Sequence, residues 1–328
     1  MRAIIALFLL LALGSTARAT ELQQNESSPD NAALLQKLQE HGPLSLDRVQ
    51  GFVHVQDQKA RVLIQPVGRV FRDIHSTWQF WIDAAMIVVA VGAMGAMYLF
   101  LGSMRVTPDP YGRTIQRFTG FERFIHWLVA FCFIALGLSG LNMVFGRTLL
   151  APVMGEFAFA EMAHLAKLAH DFLAFPFTVG LVVLAVQWLL PNIPDRTDIT
   201  WIKMAGGMLG GDHPPAWKFN AGQKMIYWAA VGGGGALVLT GAGLLFPFYV
   251  TNILGMQLIQ VAHSMIAAVM MAIIIGHIYL GTVGVRGSFS AMSSGRVDLH
   301  WAQEHHRLWV QDEAARGRLA PEKMYPAE

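Results

Sequence analysis

Apolar side chains in this sequence come in long unbroken runs rather than at alternating or amphipathic spacing. Five runs, at about 84–104, 124–146, 168–190, 225–246 and 258–281, each approach the roughly 20 residues that a helix rising about 1.5 Å per residue needs to cross a bilayer core. Between Met225 and Val285 there is no Asp, Glu, Lys or Arg. Pro247 and the stretch 252–255 divide that segment into two helices. The glycines Gly232 to Gly235 leave room for a second helix or a flat cofactor to approach closely. The pattern predicts an all-α integral membrane protein.

The chain before the first run reads differently. Arg2, the short apolar stretch Ile4 to Leu13 and Ala17-Arg18-Ala19 form an export signal over residues 1–19. Residues 20–80 are mixed and polar, with a helical pattern around 31–40 and alternating segments at 51–55 and 61–65 that predict a hairpin across Asp57 and Gln58. This is expected to be an exported tail or small subdomain. The following organisation is a membrane helix and loop over 81–115, a helical domain over 116–290 and a tail over 291–328.

Composition sharpens this picture. Hydrophobic residues make up 54% of the 328 positions and charged residues only 14%, against about 25% in soluble domains. A net charge of +2 excludes the strongly basic surface of a nucleic-acid binder. The single cysteine, Cys132, excludes an intrachain disulfide, a cysteine-ligated iron–sulfur cluster and the covalent attachment of c-type haem. Redox or metal chemistry must then rest on the 12 histidines.

Charge also orients the spans. Arg105, Arg113, Arg117 and Arg123 follow the first run; Arg196, Lys203, Lys218 and Lys224 lie between the third and fourth; Arg286, Arg296, Arg307, Arg316, Arg318 and Lys323 follow the last. The alternate loops hold little beyond Arg147 and Lys167. The positive-inside rule therefore puts the C-terminus in the cytoplasm and the N-terminal tail in the periplasm of a bacterial inner membrane, in agreement with the signal.

Four histidines then fall at matched depths. His126 and His277 lie towards the cytoplasmic ends of their spans, and His170 and His263 towards the periplasmic ends. The 14 residues from His263 to His277 correspond to about 21 Å of rise and a rotation roughly 40° short of four turns, so both rings leave nearly one face of one helix. A lone histidine in a span is most often a packing residue. Two depth-matched pairs point instead to axial ligation of two b-type haems, an arrangement that needs no cysteine and leaves iron to carry electrons rather than bind substrate. His164 is an interfacial competitor of His170, and His41, His54, His75, His213, His300, His305 and His306 read as surface or partner-contact residues.

At the cytoplasmic mouth of the fourth span, Phe219-Asn220-Ala221-Gly222-Gln223-Lys224-Met225 places amides, a glycine and a cation beside an apolar bundle. Such a mixture suits a quinone. Local chemistry alone slightly favours a plain helix start, with Asn220 as N-cap and Lys224 extending to the interface.

Several motifs in order, Phe124-Ile125-His126-Trp127, Asn192-Ile193-Pro194-Asp195, Asn220 to Met225, His263, His277, Arg286-Gly287-Ser288, Trp301, His305-His306 and Trp309, give the chain a resemblance over 120–311 to the gamma subunits, cytochrome b556, of respiratory formate dehydrogenases. The resemblance implies a four-helix diheme cytochrome b bundle, here with one additional N-terminal transmembrane helix. It implies His126 and His277 as ligands of the inner haem, His170 and His263 as ligands of the outer haem, and Asn220 and Gly222 at a site for menaquinone or ubiquinone. It also implies an iron–sulfur beta subunit delivering electrons and a molybdenum or tungsten alpha subunit oxidising formate, so that this chain is the quinone-reducing part of an enzyme complex. The competing readings are the cytochrome b subunit of a hydrogenase and a cofactor-free anchor or transporter. A transporter would show repeated halves or broken spans.

Overall fold

The computed structural model describes residues 66–207, 213–247 and 249–319. The signal, the helical pattern at 31–40 and the hairpin at 51–65 lie outside the described residues. Helix α1 (Pro66–Asp73) runs through a wider turn at Ile74–Gln79 into α2 (Phe80–Leu101). Strand β1 (Thr114–Gln116) precedes α3 (Gly120–Leu149), a short α4 (Ala151–Met154) and α5 (Glu156–Trp188). Then come α6 (Arg196–Lys203), α7 (Ala221–Leu245), α8 (Ile253–Tyr279), α9 (Ser288–Ser293), β2 (Arg296–Asp298), α10 (Leu299–His305) and α11 (Arg307–Ala315). Five of these stretches are long and apolar enough to span a membrane: Val70–Phe100, Gly120–Leu149, Glu156–Trp188, Ala221–Leu245 and Ile253–Gly284.

Local chemistry sets the ends of the spans. Gly102, at φ 69°, ends α2 before the apolar run itself stops. Thr119 and Glu122 form a reciprocal capping box at the start of α3, Asn220 and Gln223 another at the start of α7, and the Asn252 side chain caps α8 through Gly255 N. Helix α5 starts well ahead of its apolar run because Glu156 to Lys167 continues the same helix with a mixed surface.

The spans pack in a chain of neighbours: α3 on α5, α5 on α7, α7 on α8, and α8 on the additional helix α2. Adjacent glycines serve two of these contacts. A Cβ at Gly234 would meet Leu181 of α5 at 3.0 Å, one at Gly233 would collide with Met270 of α8, and Gly232 and Gly235 face open space. Helix α2 is tied to α8 by a polar contact, in which Ser264 Oγ donates to Asp83 Oδ2 at 2.7 Å. Much of the outer helix surface is apolar and exposed, including Val88, Leu99, Val182 and Leu239. In a bilayer those side chains face acyl chains, which solvate them as well as a core would.

The larger cluster of buried apolar residues lies at one end of the bundle, here called the sheet end. There β1 pairs antiparallel with β2, matching Thr114 to Asp298, Ile115 to Val297 and Gln116 to Arg296. Ile115, Phe118, Trp188, Phe219, Val297, Leu299, Trp301 and Trp309 form one buried cluster. The segment expected as a tail from 291 onwards is thus folded as far as Leu319. Its apolar residues close over the helix ends, where water makes their burial favourable.

Buried polar groups stitch this cap down. Arg117, 4% exposed, donates from Nη2 to Lys218 O at 2.7 Å and Gln223 Oε1 at 3.1 Å, and its guanidinium lies over the rings of Phe118, Trp301 and Trp309. Burial pushes Arg117 down to about 9. His306, expected at the surface, is 1% exposed and donates from Nδ1 to Trp217 O at 2.7 Å. His305 stacks on Trp301 and donates to Trp301 O. Both histidines are held below their usual range, chiefly by burial and also by the nearby Arg117 charge.

Lys224 does not extend to an interface. Its Nζ lies 2.7 Å from Asp195 Oδ2 and 2.9 Å from Asp198 Oδ2, with the lysine side chain 5% exposed. The pair anchors α7 to the loop that carries α6. Removing the lysine strands Asp198 while Asp195 stays open to water, so Lys224→Met should destabilise the protein by about 1–2 kcal/mol, read as a lowered thermal midpoint in detergent. An unchanged midpoint contradicts this role.

The cap carries a second expectation. Between pH 6.5 and about 4, the value to which His305 is lowered, the unfolded chain takes up protons that the folded cap refuses. The stability this represents is complete above pH 6.5 and is lost as pH falls towards 4. Corrected for intrinsic rates, hydrogen exchange in Leu299–His305 and Arg307–Ala315 should quicken across that window. Equal protection at both ends of it contradicts the coupling.

Candidate site: two facing histidine pairs

Helix α8 carries His277 near its C-terminal end and His263 ten residues inside its start, and each meets a histidine from another span. His277 faces His126 of α3 at the sheet end, with ring centres 6.2 Å apart and planes inclined at 59°. His263 faces His170 of α5 at the far end, with centres 6.3 Å apart and planes at 68°. The near-integral number of turns between His263 and His277 is what turns both rings to one side of α8.

These separations discriminate between kinds of contact. Two imidazoles sharing a hydrogen bond of about 2.9 Å would have centres roughly 5.1 Å apart. Both pairs are wider than that, so neither pair is joined by a direct ring-to-ring hydrogen bond, and each leaves space between its rings for a metal ion. Among the described residues no group of three or more His, Cys, Asp or Glu is arranged to hold a metal ion; each pair by itself offers two imidazoles.

The surroundings of the pairs differ. At the far end, Ser139 Oγ lies 2.8 Å from His170 Nδ1, and Thr240 Oγ1 lies 2.8 Å from His263 Nδ1. At the sheet end, His126 is flanked by Trp127 and Trp188, and its Nδ1 is buried with no hydrogen-bond partner among the described residues. The two hydroxyl residues were not singled out in the sequence. A signal for them exists: Ala135-Leu136-Gly137-Leu138-Ser139-Gly140 on α3 echoes Ala236-Leu237-Val238-Leu239-Thr240-Gly241 on α7. His164 is exposed on α5.

At the mouth of α7, Asn220 Oδ1 accepts from Gln223 N at 2.9 Å, and Gln223 Oε1 accepts from Asn220 N at 3.2 Å. Asn220 therefore serves as a helix cap. A Cβ at Gly222 would press on Trp201 at 2.8 Å, so glycine lets that indole lie over the start of α7. Arg117, which shares Gln223 Oε1 with the cap, is a further polar group at this mouth that sequence reasoning did not mark as part of the site.

Known proteins bear on this arrangement. The chain is 29% identical over 203 residues to the formate dehydrogenase cytochrome b556(fdo) subunit of Escherichia coli K12, covering 61% of this chain and 93% of that protein. It is 29% identical over 206 residues to the nitrate-inducible formate dehydrogenase cytochrome b556(Fdn) subunit of the same organism, covering 61% and 92%. It is 28% identical over 198 residues to the formate dehydrogenase cytochrome b556 subunit of Haemophilus influenzae, covering 58% and 80%. The model of the family described as prokaryotic cytochrome b561 matches residues 117–295, which takes in all four facing histidines. With more than half of its length so matched, the chain belongs to the prokaryotic cytochrome b561 family, helical membrane proteins that carry haem b.

Proposed function

We propose that the chain is the membrane cytochrome b subunit of a formate dehydrogenase, binding two b haems and reducing quinone. The observation that carries this reading is the pair of matched separations, 6.2 and 6.3 Å, set by one helix against two others. His126 and His277 would hold one haem at the sheet end, and His170 and His263 the other at the far end. Bound there, the haems supply one-electron carriage between the two membrane faces. The protein's own work is to fix axial ligands on α3, α5 and α8 and to keep the space between them apolar.

The far end is read as periplasmic and the sheet end as cytoplasmic, on the arginines and lysines that cluster at the sheet end. An iron–sulfur subunit would then dock at the far end and receive electrons from a molybdenum or tungsten subunit that oxidises formate. Quinone is assigned to the sheet-end mouth near Asn220 and Gly222, where the α7 cap, Trp201 and Arg117 combine an apolar wall with hydrogen-bonding groups. Residues 1–19 as signal and 20–80 as exported tail complete the assignment, and the tail offers extra surface to the periplasmic partner.

Ligand substitutions test the pairing. His170→Ala or His263→Ala should each reduce the haem content from two to one per chain and remove the same spectral component. His126→Ala or His277→Ala should remove the other component. Loss of one shared component from His126→Ala and His170→Ala contradicts the assignment. Isolation of the native complex with a large molybdenum or tungsten subunit supports the formate dehydrogenase reading, and a nickel-containing partner supports the hydrogenase alternative.

A further inference from the structure

Ser139 and Thr240 repeat one arrangement on two different helices. Ser139 Oγ lies 2.8 Å from Ala135 O and 3.0 Å from Leu136 O. Thr240 Oγ1 lies 2.7 Å from Ala236 O and 3.2 Å from Leu237 O. A hydroxyl has a single proton, and here it is directed at the carbonyls of its own helix. Only lone pairs remain for the histidine, so each Nδ1, 2.8 Å away, must carry the hydrogen and donate it. The Nε2 lone pair of each far-end ring is then free to bind metal.

A glycine lies beside the ring in both places: a Cβ at Gly241 would press on His263 Cε1 at 3.3 Å, and one at Gly140 would sit in ordinary contact with His170 Cε1 at 3.7 Å. The hydroxyl helix therefore sits against the ring edge at both places. The sheet-end pair has no such support at His126, whose Nδ1 is buried without a partner among the described residues.

We propose that Ser139 and Thr240 are positioning residues that lock the tautomers of His170 and His263 and hold the far-end haem at a lower reduction potential than the sheet-end haem. Donation from Nδ1–H raises the basicity of the ligating nitrogen. A more basic axial ligand favours ferric over ferrous iron, and hydrogen bonding to axial ligands is one of the protein's means of setting haem potential. With one haem held by His170 and His263 and another by His126 and His277, the far-end group would be the electron donor and the sheet-end group the acceptor in one-electron exchange. The difference in support biases that exchange towards the sheet end. The proposal rests on the histidine-pair ligation described above.

The test is a potentiometric titration of the full chain in its membrane, followed optically, with the far-end component identified as the one that His170→Ala removes. Wild type should give two midpoints, the far-end one lower. Ser139→Ala and Thr240→Val should each raise the far-end midpoint and leave the other in place. Ser139→Thr and Thr240→Ser, which keep the hydroxyl, should titrate like wild type. If Ser139→Ala does not retain the far-end haem, Ser139→Cys, with its weaker acceptor, must still raise that midpoint. Equal midpoints in wild type, or a far-end midpoint that stays or falls in the variants, overturn the tuning. Absence of haem from wild type overturns the ligand reading beneath it, and the tuning with it.

Discussion

The geometry of α8 governs the rest of the bundle. Two histidines placed on one side of a single helix, 14 residues apart, require two different partner helices at two different depths. The chain meets that requirement by bringing α3 to one end of α8 and α5 to the other, with ring centres 6.2 and 6.3 Å apart. The same demand explains why α3 and α5 pack closely along each other, and why α7 wedges between α5 and α8 on adjacent glycines. Polar rings in an apolar span need partners, and the fold supplies them pair by pair.

The two ends of the bundle solve different problems. At the sheet end the spans leave the apolar zone, and a water-exposed surface allows a conventional core to form. Aromatic side chains from the loops and the C-terminal segment bury there around Arg117 and His306, with the Lys224 ion pair fixing α7. At the far end the helices keep their own hydroxyls for their histidines, and the additional helix α2 is held to α8 by the contact between Asp83 and Ser264. Ser264 follows His263 in α8, so the additional helix meets α8 at the level of the far-end pair.

Much of this was legible in the sequence, and the reasons differ by feature. The spans follow from unbroken apolar runs, which admit few readings. The histidine pairing follows from depth, since helical rise converts residue number into position across the bundle. The folded C-terminal cap was not legible because its apolar residues, Val297, Leu299, Trp301 and Trp309, are scattered among charges and acquire a common face only when β2 pairs with β1. Lys224 misled because a cation at a span end ordinarily reaches for solvent, and the carboxylates that hold it lie at the start of a separate short helix, α6. Ser139 and Thr240 were passed over because hydroxyls in membrane helices usually bond their own backbone. They do so here as well, and that bond is what turns their lone pairs to the histidines.

The central claim is that the two facing pairs each hold a haem. Haem quantification on the purified wild-type chain, with the pigment extracted by acidified solvent, tests it most directly. Two non-covalent b haems per chain are the result expected from the geometry. A chain that is pure, folded and spectrally free of haem, or that binds only one, would contradict it.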